Sequence, residues 1–172
     1  DLSPCAGTVL FSDLEISAEL PLNKDIDIEL VVVGGKTAYF NGVNKYVKEN
    51  NMQERVHFLQ NVDLRELVAL YQGAKLFVYP SLFEGFGIPI VEALYSKTPV
   101  ITSSGGCFSE AGGPNSVYVD PHNQLELKAK INEVLADKKL RENMKIKGYE
   151  FVQKFNDEVI AEEMMKVYKE LI

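Results

Sequence analysis

Strand-like and helix-like segments alternate along this chain, and this alternation constrains the fold more than any other feature. Residues 28–33 form a nearly continuous apolar run that ends in Gly34 and Gly35, which is typical of a parallel strand buried on both faces. Further strands are predicted at residues 55–59, 76–79, 100–102 and 116–119, with helices between them. This order favours right-handed βαβ units. The sequence therefore predicts an α/β fold, a Rossmann-like parallel sheet with helices on both faces.

Local signals mark where several helices begin. Capping-box spacings run from Asp63 to Glu66 and from Asn123 to Glu126. Residues 88–95 are predicted to be helical, and residues 137–155 form a charged, mostly helical stretch. Residues 156–172 have the apolar spacing of a C-terminal amphipathic helix. In the poorly defined first 25 residues, weak signals predict a strand over 8–11 and a helix over 14–20.

Composition limits the classes of protein to which the chain can belong. Its 172 residues suit a single domain, 1–172. A formal net charge of −7 makes general nucleic-acid binding unfavourable. We find no apolar run of about 20 residues and no signal-peptide pattern at the start, so we expect an unprocessed cytoplasmic protein without a transmembrane segment. Two cysteines and two histidines indicate neither a disulfide framework nor a metal site.

The topology indicates where a ligand would bind. In open parallel sheets, ligands bind beyond the carboxyl ends of the strands, where loops and helix N-termini meet. In this chain those loops are residues 34–36, 60–62, 81–87 and 103–107.

The most informative of these loops follows the strand at residues 76–79. Gly85 and Gly87 flank Phe86, so the backbone can bend sharply and approach a ligand without interference from Cβ atoms. Pro89 suits the first turn of the next helix, and the amides of residues 86–88 then lie at its N-terminus, which is suited to phosphate.

Two carboxylates accompany this loop. We expect Glu84 and Glu92 to face one pocket at different depths, where they could accept hydrogen bonds from sugar hydroxyls. The spacing alone leaves a second interpretation equally open. Many ordinary turns contain Gly-x-Gly, and a glutamate early in a helix also complements the helix dipole.

The whole combination resembles the retaining glycosyltransferases of family 4, the glycosyl transferases group 1, which have the GT-B fold. Their E-x7-E signature stands here as Glu84-Gly-Phe-Gly-Ile-Pro-Ile-Val-Glu92. The resemblance extends from about residue 26 to the C-terminus, and it includes residues 30–35, 56–62, 98–103, 105–106 and 110–113.

The resemblance implies that the chain is the C-terminal half of a GT-B fold, the donor-binding domain of an enzyme of polysaccharide or glycan biosynthesis. Such an enzyme moves a sugar, typically a hexose, from a nucleoside-diphosphate sugar to an acceptor hydroxyl with retention at the anomeric carbon. It implies no cofactor and no metal. The acceptor, a glycan or lipid, would bind a missing N-terminal domain, without which the isolated domain would be inactive. The full-length protein could then work peripherally at a membrane surface.

The resemblance also implies roles for particular positions. Glu84 matches the catalytic-site glutamate that contacts the transferred sugar, and Glu92 matches the glutamate that binds the nucleotide ribose. The remaining donor-binding positions share a reliance on backbone groups, and they are Gly35, Gly85, Phe86, Gly87 and Ile88 beside the diphosphate or sugar, and Asn61 and Val62 beside the base.

The sequence departs from the family pattern at two places, and the first of these keeps an alternative function open. The family has an Arg and a Lys that clamp the diphosphate early in this domain, yet residues 1–22 contain neither and Lys24 falls too late. Lys36 could supply one positive charge, although a solvated surface lysine is the commoner case. Residues 155–157 replace a Phe-Ser-Trp pattern. The alternative function is a non-catalytic nucleotide-sugar-binding or regulatory module. A nicotinamide- or flavin-binding domain is disfavoured because residues 34–35 lack the G-x-G-x-x-G spacing.

Overall fold

The computed structural model describes residues 8–12, 28–35 and 38–171. The strands of this part of the chain are β1 (Thr8–Ser12), β2 (Glu29–Val33), β3 (Val56–Leu59), β4 (Leu76–Tyr79), β5 (Val100–Ser103) and β6 (Val117–Val119). Its helices are α1 (Ala38–Glu49), α2 (Leu64–Gly73), α3 (Ile88–Tyr95), α4 (Phe108–Gly112), α5 (Gln124–Ala136), α6 (Lys138–Val152), a 3₁₀ turn (Gln153–Phe155) and α7 (Asp157–Glu170).

The strands form one parallel sheet in the order β3-β2-β1-β4-β5-β6. β1 lies at the centre, with Leu10 in register with Val31 on one side and with Phe77 on the other. The chain runs outward from β1 to β3, then crosses to β4 and runs outward in the other direction. That reversal creates a crevice at the carboxyl ends of the central strands.

Each face of the sheet carries its own hydrophobic core, because side chains alternate between the faces of a strand. On one face, α1, α5 and α6 pack against Leu76 and Val78 of β4. On the other, α2, α3 and α4 pack against Phe77 and Tyr79 of the same strand. This arrangement confirms the predicted α/β sheet with helices on both faces.

The apolar patterns that predict strands and helices were weakest near the N-terminus and at one short helix. The strand expected over residues 8–11 forms, and it is the central strand β1 rather than a peripheral element. The helix expected over residues 14–20 lies outside the described residues. The five-residue helix α4 was not predicted, because a helix of little more than one turn has no apolar periodicity to detect.

The last helix is confirmed as α7, yet its apolar side chains are exposed. Met164 and Val167 are 52% and 58% accessible. No helix in the described part of the chain combines the length and the apolar character that crossing a bilayer requires.

One of the two capping boxes forms completely. At Asp63, the carboxylate accepts from the N–H of Glu66, and the Glu66 carboxylate accepts from the N–H of Asp63 at 2.9 Å. At Asn123 only half of the box forms. The side chain caps the N–H of Glu126, but the Glu126 carboxylate accepts instead from the N–H of Asp120 at 3.2 Å. The spacing at Asn123 therefore marks the start of α5, as predicted, without a second complete box.

Replacing Asp63 by alanine should destabilise the chain by about 1 kcal/mol, because two N–H groups at the start of α2 lose their acceptor. The measurement is the free energy of unfolding from urea denaturation. Asn123→Ala is the matched control and should cost less, since its side chain caps a single N–H. Equal losses in the two variants would contradict this reading of the caps.

Candidate functional site

The carboxyl ends of β2 and β3 border an open cleft of about 440 Å³. The residues that line it come from the end of β2, the loops after β2 and β3, and α2, and they are Val33, Gly34, Gly35, Gln60, Asn61, Val62 and Leu67. Three of the predicted donor-binding residues, Gly35, Asn61 and Val62, are thus brought together. Asn61 has a left-handed backbone, with φ of 54°, which an asparagine tolerates better than most residues.

The second predicted element, the loop before α3, turns into the helix at Gly87. Gly87 has φ of 93° and serves as the N-cap. A Cβ added there would lie 3.1 Å from Cδ1 of Ile90 and 3.4 Å from Cβ of Ala111. The backbone conformation therefore favours glycine strongly at this position, and a side chain would also crowd Ile90 and Ala111.

The start of α3 has no side-chain cap. The Gly87 carbonyl accepts from the N–H of Ile90 at 3.0 Å, and Pro89 has no N–H to donate. Among the hydrogen bonds formed between described residues, none uses the N–H of Gly87 or Ile88. These two donors therefore stand at the positive end of the helix dipole, where an anion is favoured.

The remaining loop residues differ in what holds them. The Phe86 ring packs edge-on against the Phe155 ring, with centroids 5.3 Å apart. The predicted need for glycine at Gly85 has no internal cause among the described residues, since a Cβ there would meet nothing within 4 Å. Phe155, which sequence reasoning treated as a departure in the C-terminal segment, thus supports the loop that carries the predicted site.

Two hydroxyl groups hold the carboxylate of Glu84. Its carboxylate accepts hydrogen bonds from the hydroxyl of Tyr79 and from Oγ of Ser81, the latter at 3.1 Å. The Sγ of Cys107 lies 3.3 Å from the Glu84 carbonyl oxygen and donates to it. The half-buried Glu84 side chain is therefore oriented by Tyr79 of β4 and Ser81 of the loop, and Cys107, the N-cap of α4, holds its main chain.

Glu92 lies in the second turn of α3, where its Oε2 accepts from the hydroxyl of Tyr71 at 3.2 Å. Burial first, and then the charge of Glu92, raise the pKa of the Tyr71 hydroxyl far above its ordinary value. The hydroxyl therefore stays protonated and remains a donor throughout the physiological range.

Glu92 also lines a second cleft, of about 260 Å³, between α2 and α3. The lining is mostly apolar and consists of Leu64, Leu67, Val68, Tyr71, Val91, Glu92, Tyr95 and Ser96. Leu67 borders both clefts, so the two are neighbours. Neither cleft, as formed by the described residues, includes Glu84, and the expectation that both acids face one pocket stays a prediction.

Sequence reasoning missed Tyr71 and Tyr79, the two tyrosines whose hydroxyls hold the glutamates together with Oγ of Ser81. One signal could have found Tyr79. It ends an otherwise apolar strand, and a buried tyrosine hydroxyl needs a partner. Tyr71 looked like one more member of an apolar helix face, because its partner lies 21 residues further along the chain.

Two other expectations concern cations. Lys36 and residues 13–22 lie outside the described residues. The expected absence of an Arg–Lys diphosphate clamp therefore stays a prediction from the sequence. Within the described ranges, no three His, Cys, Asp or Glu side chains gather as a metal site would require.

Comparison with known proteins places these features in a family. The family model for "Glycosyl transferases group 1" matches residues 13–151. The O-antigen chain mannosyltransferase RfbU of Salmonella typhimurium is 36% identical over 124 residues, which are 71% of this chain and 35% of that protein.

Solved structures share the fold. The sucrose-phosphate synthase of Thermosynechococcus elongatus superposes with a TM-score of 0.81 at 28% identity, covering 99% of this chain and 46% of that one. The C-terminal domain of a glycosyl transferase group 1 family protein, LpcC of Francisella tularensis, superposes with a TM-score of 0.72 at 24% identity, covering 86% of this chain and 84% of that domain. The chain thus spans less than half the length of RfbU and of the synthase.

Proposed function

This chain belongs to the glycosyl transferases group 1 family, and from that premise we propose that it is the donor-binding domain of a retaining glycosyltransferase. Membership confirms the resemblance found in the sequence, and the solved structures confirm the fold class. The observation that carries the proposal is the uncapped start of α3, which lies between Glu84 and Glu92 in the chain and is built on a glycine that no other residue can replace without strain.

We propose that the diphosphate of a nucleoside-diphosphate sugar binds at this helix start. The N–H groups of Gly87 and Ile88 would donate to its oxygens, and the helix dipole would stabilise its charge. As the sugar leaves, negative charge grows on the same phosphate, so these donors would bind the transition state more strongly than the ground state. Because they supply the positive potential, we expect transfer to need neither metal nor cofactor.

The nucleoside would occupy the two neighbouring clefts. A cleft of about 440 Å³ is within the size range of small-ligand sites. Backbone groups at Asn61 and Val62 would bind the base there, and Gly35, which lines the same cleft, would face the diphosphate. Leu67 connects this cleft with the one that Glu92 lines, so the ribose hydroxyls could reach the Glu92 carboxylate next to the base. A carboxylate with one tyrosine donor still has lone pairs for ribose.

The transferred sugar would contact Glu84, which would accept hydrogen bonds from its hydroxyls and orient the anomeric carbon. In the proposed reaction the bond between that carbon and the phosphate oxygen breaks. The acceptor oxygen bonds to the carbon on the same face, and its proton passes to the departing phosphate. Glu84 forms no covalent bond in this scheme, which distinguishes it from the nucleophile of a retaining glycosidase.

The acceptor would bind a domain that this chain does not include. The chain spans 35% of the length of RfbU, whose name describes a mannosyltransferase acting on O-antigen chains. We propose by analogy a hexosyl donor and a glycan or lipid-linked acceptor in polysaccharide assembly. The isolated chain should then bind donor weakly and transfer little.

Calorimetric titration of the chain with GDP, UDP and ADP tests the donor site. We expect selective binding of one nucleotide. Glu92→Gln should weaken that binding by about 1–3 kcal/mol, the usual effect of losing charge-assisted hydrogen bonds. Glu142→Gln, an exposed glutamate of α6 that pairs with Lys145, is the control and should leave affinity unchanged. Background heats with all three nucleotides, at concentrations that would reveal weak binding, would contradict the donor site. An unchanged affinity in Glu92→Gln would exclude the ribose role.

A further inference from the structure

Three aromatic rings form a row behind the two glutamates. The ring of Phe77 meets the ring of Tyr71 edge-on, with centroids 5.1 Å apart, and it stacks on the ring of Tyr79 at 5.8 Å. None of the three side chains is more than 3% accessible. The row therefore lies within the core between the sheet and helices α2 and α3, where its rings have little freedom to move.

The two ends of this row are polar, and each meets one glutamate of the E-x7-E motif. The Tyr71 hydroxyl donates to Glu92, and the Tyr79 hydroxyl donates to Glu84. A phenylalanine would fill the core equally well at both positions. What tyrosine adds at each position is a hydroxyl, and each hydroxyl donates to one of the two acids.

From this geometry we propose that Tyr71 and Tyr79 are positioning residues for donor chemistry, Tyr71 holding the Glu92 carboxylate and Tyr79 holding the Glu84 carboxylate. The inference rests on the proposed function, in which those carboxylates bind the ribose and the transferred sugar. Neither tyrosine touches the donor in this scheme, so each acts only through its glutamate.

Strand β5 and the turn before it anchor the tyrosines at their main chains. The Thr98 hydroxyl donates to the Tyr71 carbonyl at 2.6 Å, and the Thr102 hydroxyl donates to the Tyr79 carbonyl at 2.8 Å. Both threonines are buried. The tyrosines are therefore held at the ring by Phe77 and at the backbone by a threonine, which makes their hydroxyls fixed points for a glutamate to bind.

A glutamate side chain has three rotatable bonds, and it binds a sugar productively only in some of its rotamers. A fixed donor selects one of these before the ligand arrives, so less conformational entropy is lost on binding. Glu84 retains Ser81 as a second donor if Tyr79 is altered, whereas Glu92 has Tyr71 as its one hydroxyl donor among the described residues. Misplacing Glu84, which would contact the sugar, should slow the transfer step. Misplacing Glu92, which would contact the ribose, should weaken nucleotide binding.

The test uses Tyr71→Phe and Tyr79→Phe in the full-length enzyme, because phenylalanine keeps the ring and removes only the hydroxyl. We expect Tyr79→Phe to lower kcat by about tenfold while the Kd for the preferred nucleoside diphosphate changes less than about twofold. We expect Tyr71→Phe to raise that Kd by about five- to tenfold, with a smaller effect on kcat. A merely structural role would not make one variant change mainly kcat and the other mainly Kd.

Tyr118→Phe is the matched control, since the Tyr118 hydroxyl donates to the Gly113 carbonyl and contacts neither glutamate. It should change the melting temperature but neither kcat nor Kd. Rates are divided by the stoichiometry of nucleotide binding, so that only folded molecules count. If Tyr71→Phe and Tyr79→Phe behave as Tyr118→Phe does, the positioning roles are overturned.

Glu84→Gln and Glu92→Gln in the same assays separate this proposal from the one on which it rests. Impaired glutamate variants together with unaffected tyrosine variants would overturn the positioning roles and leave the proposed function standing. Unaffected glutamate variants would overturn the proposed function itself.

Discussion

Replacing Glu84 by glutamine in the full-length enzyme should lower kcat by about 100- to 1,000-fold, the range found when one charge-stabilising contact of a transition state is removed. The substitution keeps the size of the side chain and its ability to accept from Tyr79 and Ser81. It removes the negative charge that would face the sugar as positive charge grows at the anomeric carbon. The loss should therefore appear in turnover.

The affinity for the nucleoside diphosphate is the comparison that makes this result specific. Glu84 would contact the sugar and not the nucleotide, so the Kd for the diphosphate should change less than about twofold in Glu84→Gln. Initial rates with the nucleotide sugar and calorimetry with the nucleoside diphosphate measure the two quantities. A parallel fall in kcat and in affinity would place Glu84 at the nucleotide and refute its assignment to the sugar.

The second large effect concerns stability and arises at Gly113. This residue follows α4 with φ of 65° and ψ of −173°, a conformation that only glycine adopts readily. A Cβ at Gly113 would lie 2.6 Å from ring atoms of Phe151. Gly113→Ala therefore combines backbone strain with overpacking of a buried site and should destabilise the chain by about 2–5 kcal/mol.

Gly105→Ala separates the two causes. Gly105 also has a positive φ, of 90°, but a Cβ there would meet nothing within 4 Å. It should therefore cost only the strain, about 1–2 kcal/mol. Urea denaturation of both variants measures the difference, and equal losses would show that the ring of Phe151 moves aside without cost.

Much of the sheet could be predicted because its signals are local. The apolar run before Gly34 and the strands at residues 76–79 and 100–102 are each buried on both faces, and such strands are visible as continuous apolar segments. β1 gave a weaker signal, although it is central. The order of the strands and the place of β1 among them depend on pairing between segments distant in sequence, which no short window contains.

The candidate site divides in a similar way. The Glu84–Glu92 spacing, the two glycines and Pro89 predicted a helix start after a strand, and α3 begins at Ile88 with Gly87 as its N-cap. The residues that line the two clefts were only partly predicted. Gly35, Asn61 and Val62 come together as expected, while the apolar wall formed by α2 beside Glu92 was not anticipated.

The sequence by itself determined the alternation of strands and helices, the backbone turn at Gly87 and the positions of the two acids, because each of these follows from neighbouring residues. Tertiary structure alone decided which groups hold those acids. Tyr71 is 21 residues from Glu92, and it reaches that carboxylate only because α2 and α3 pack side by side on one face of the sheet. The same is true of Gly113, whose need for glycine comes partly from a ring 38 positions away in α6. Contacts of this kind depend on the packing of whole elements, and periodicity within one element carries no record of its neighbours.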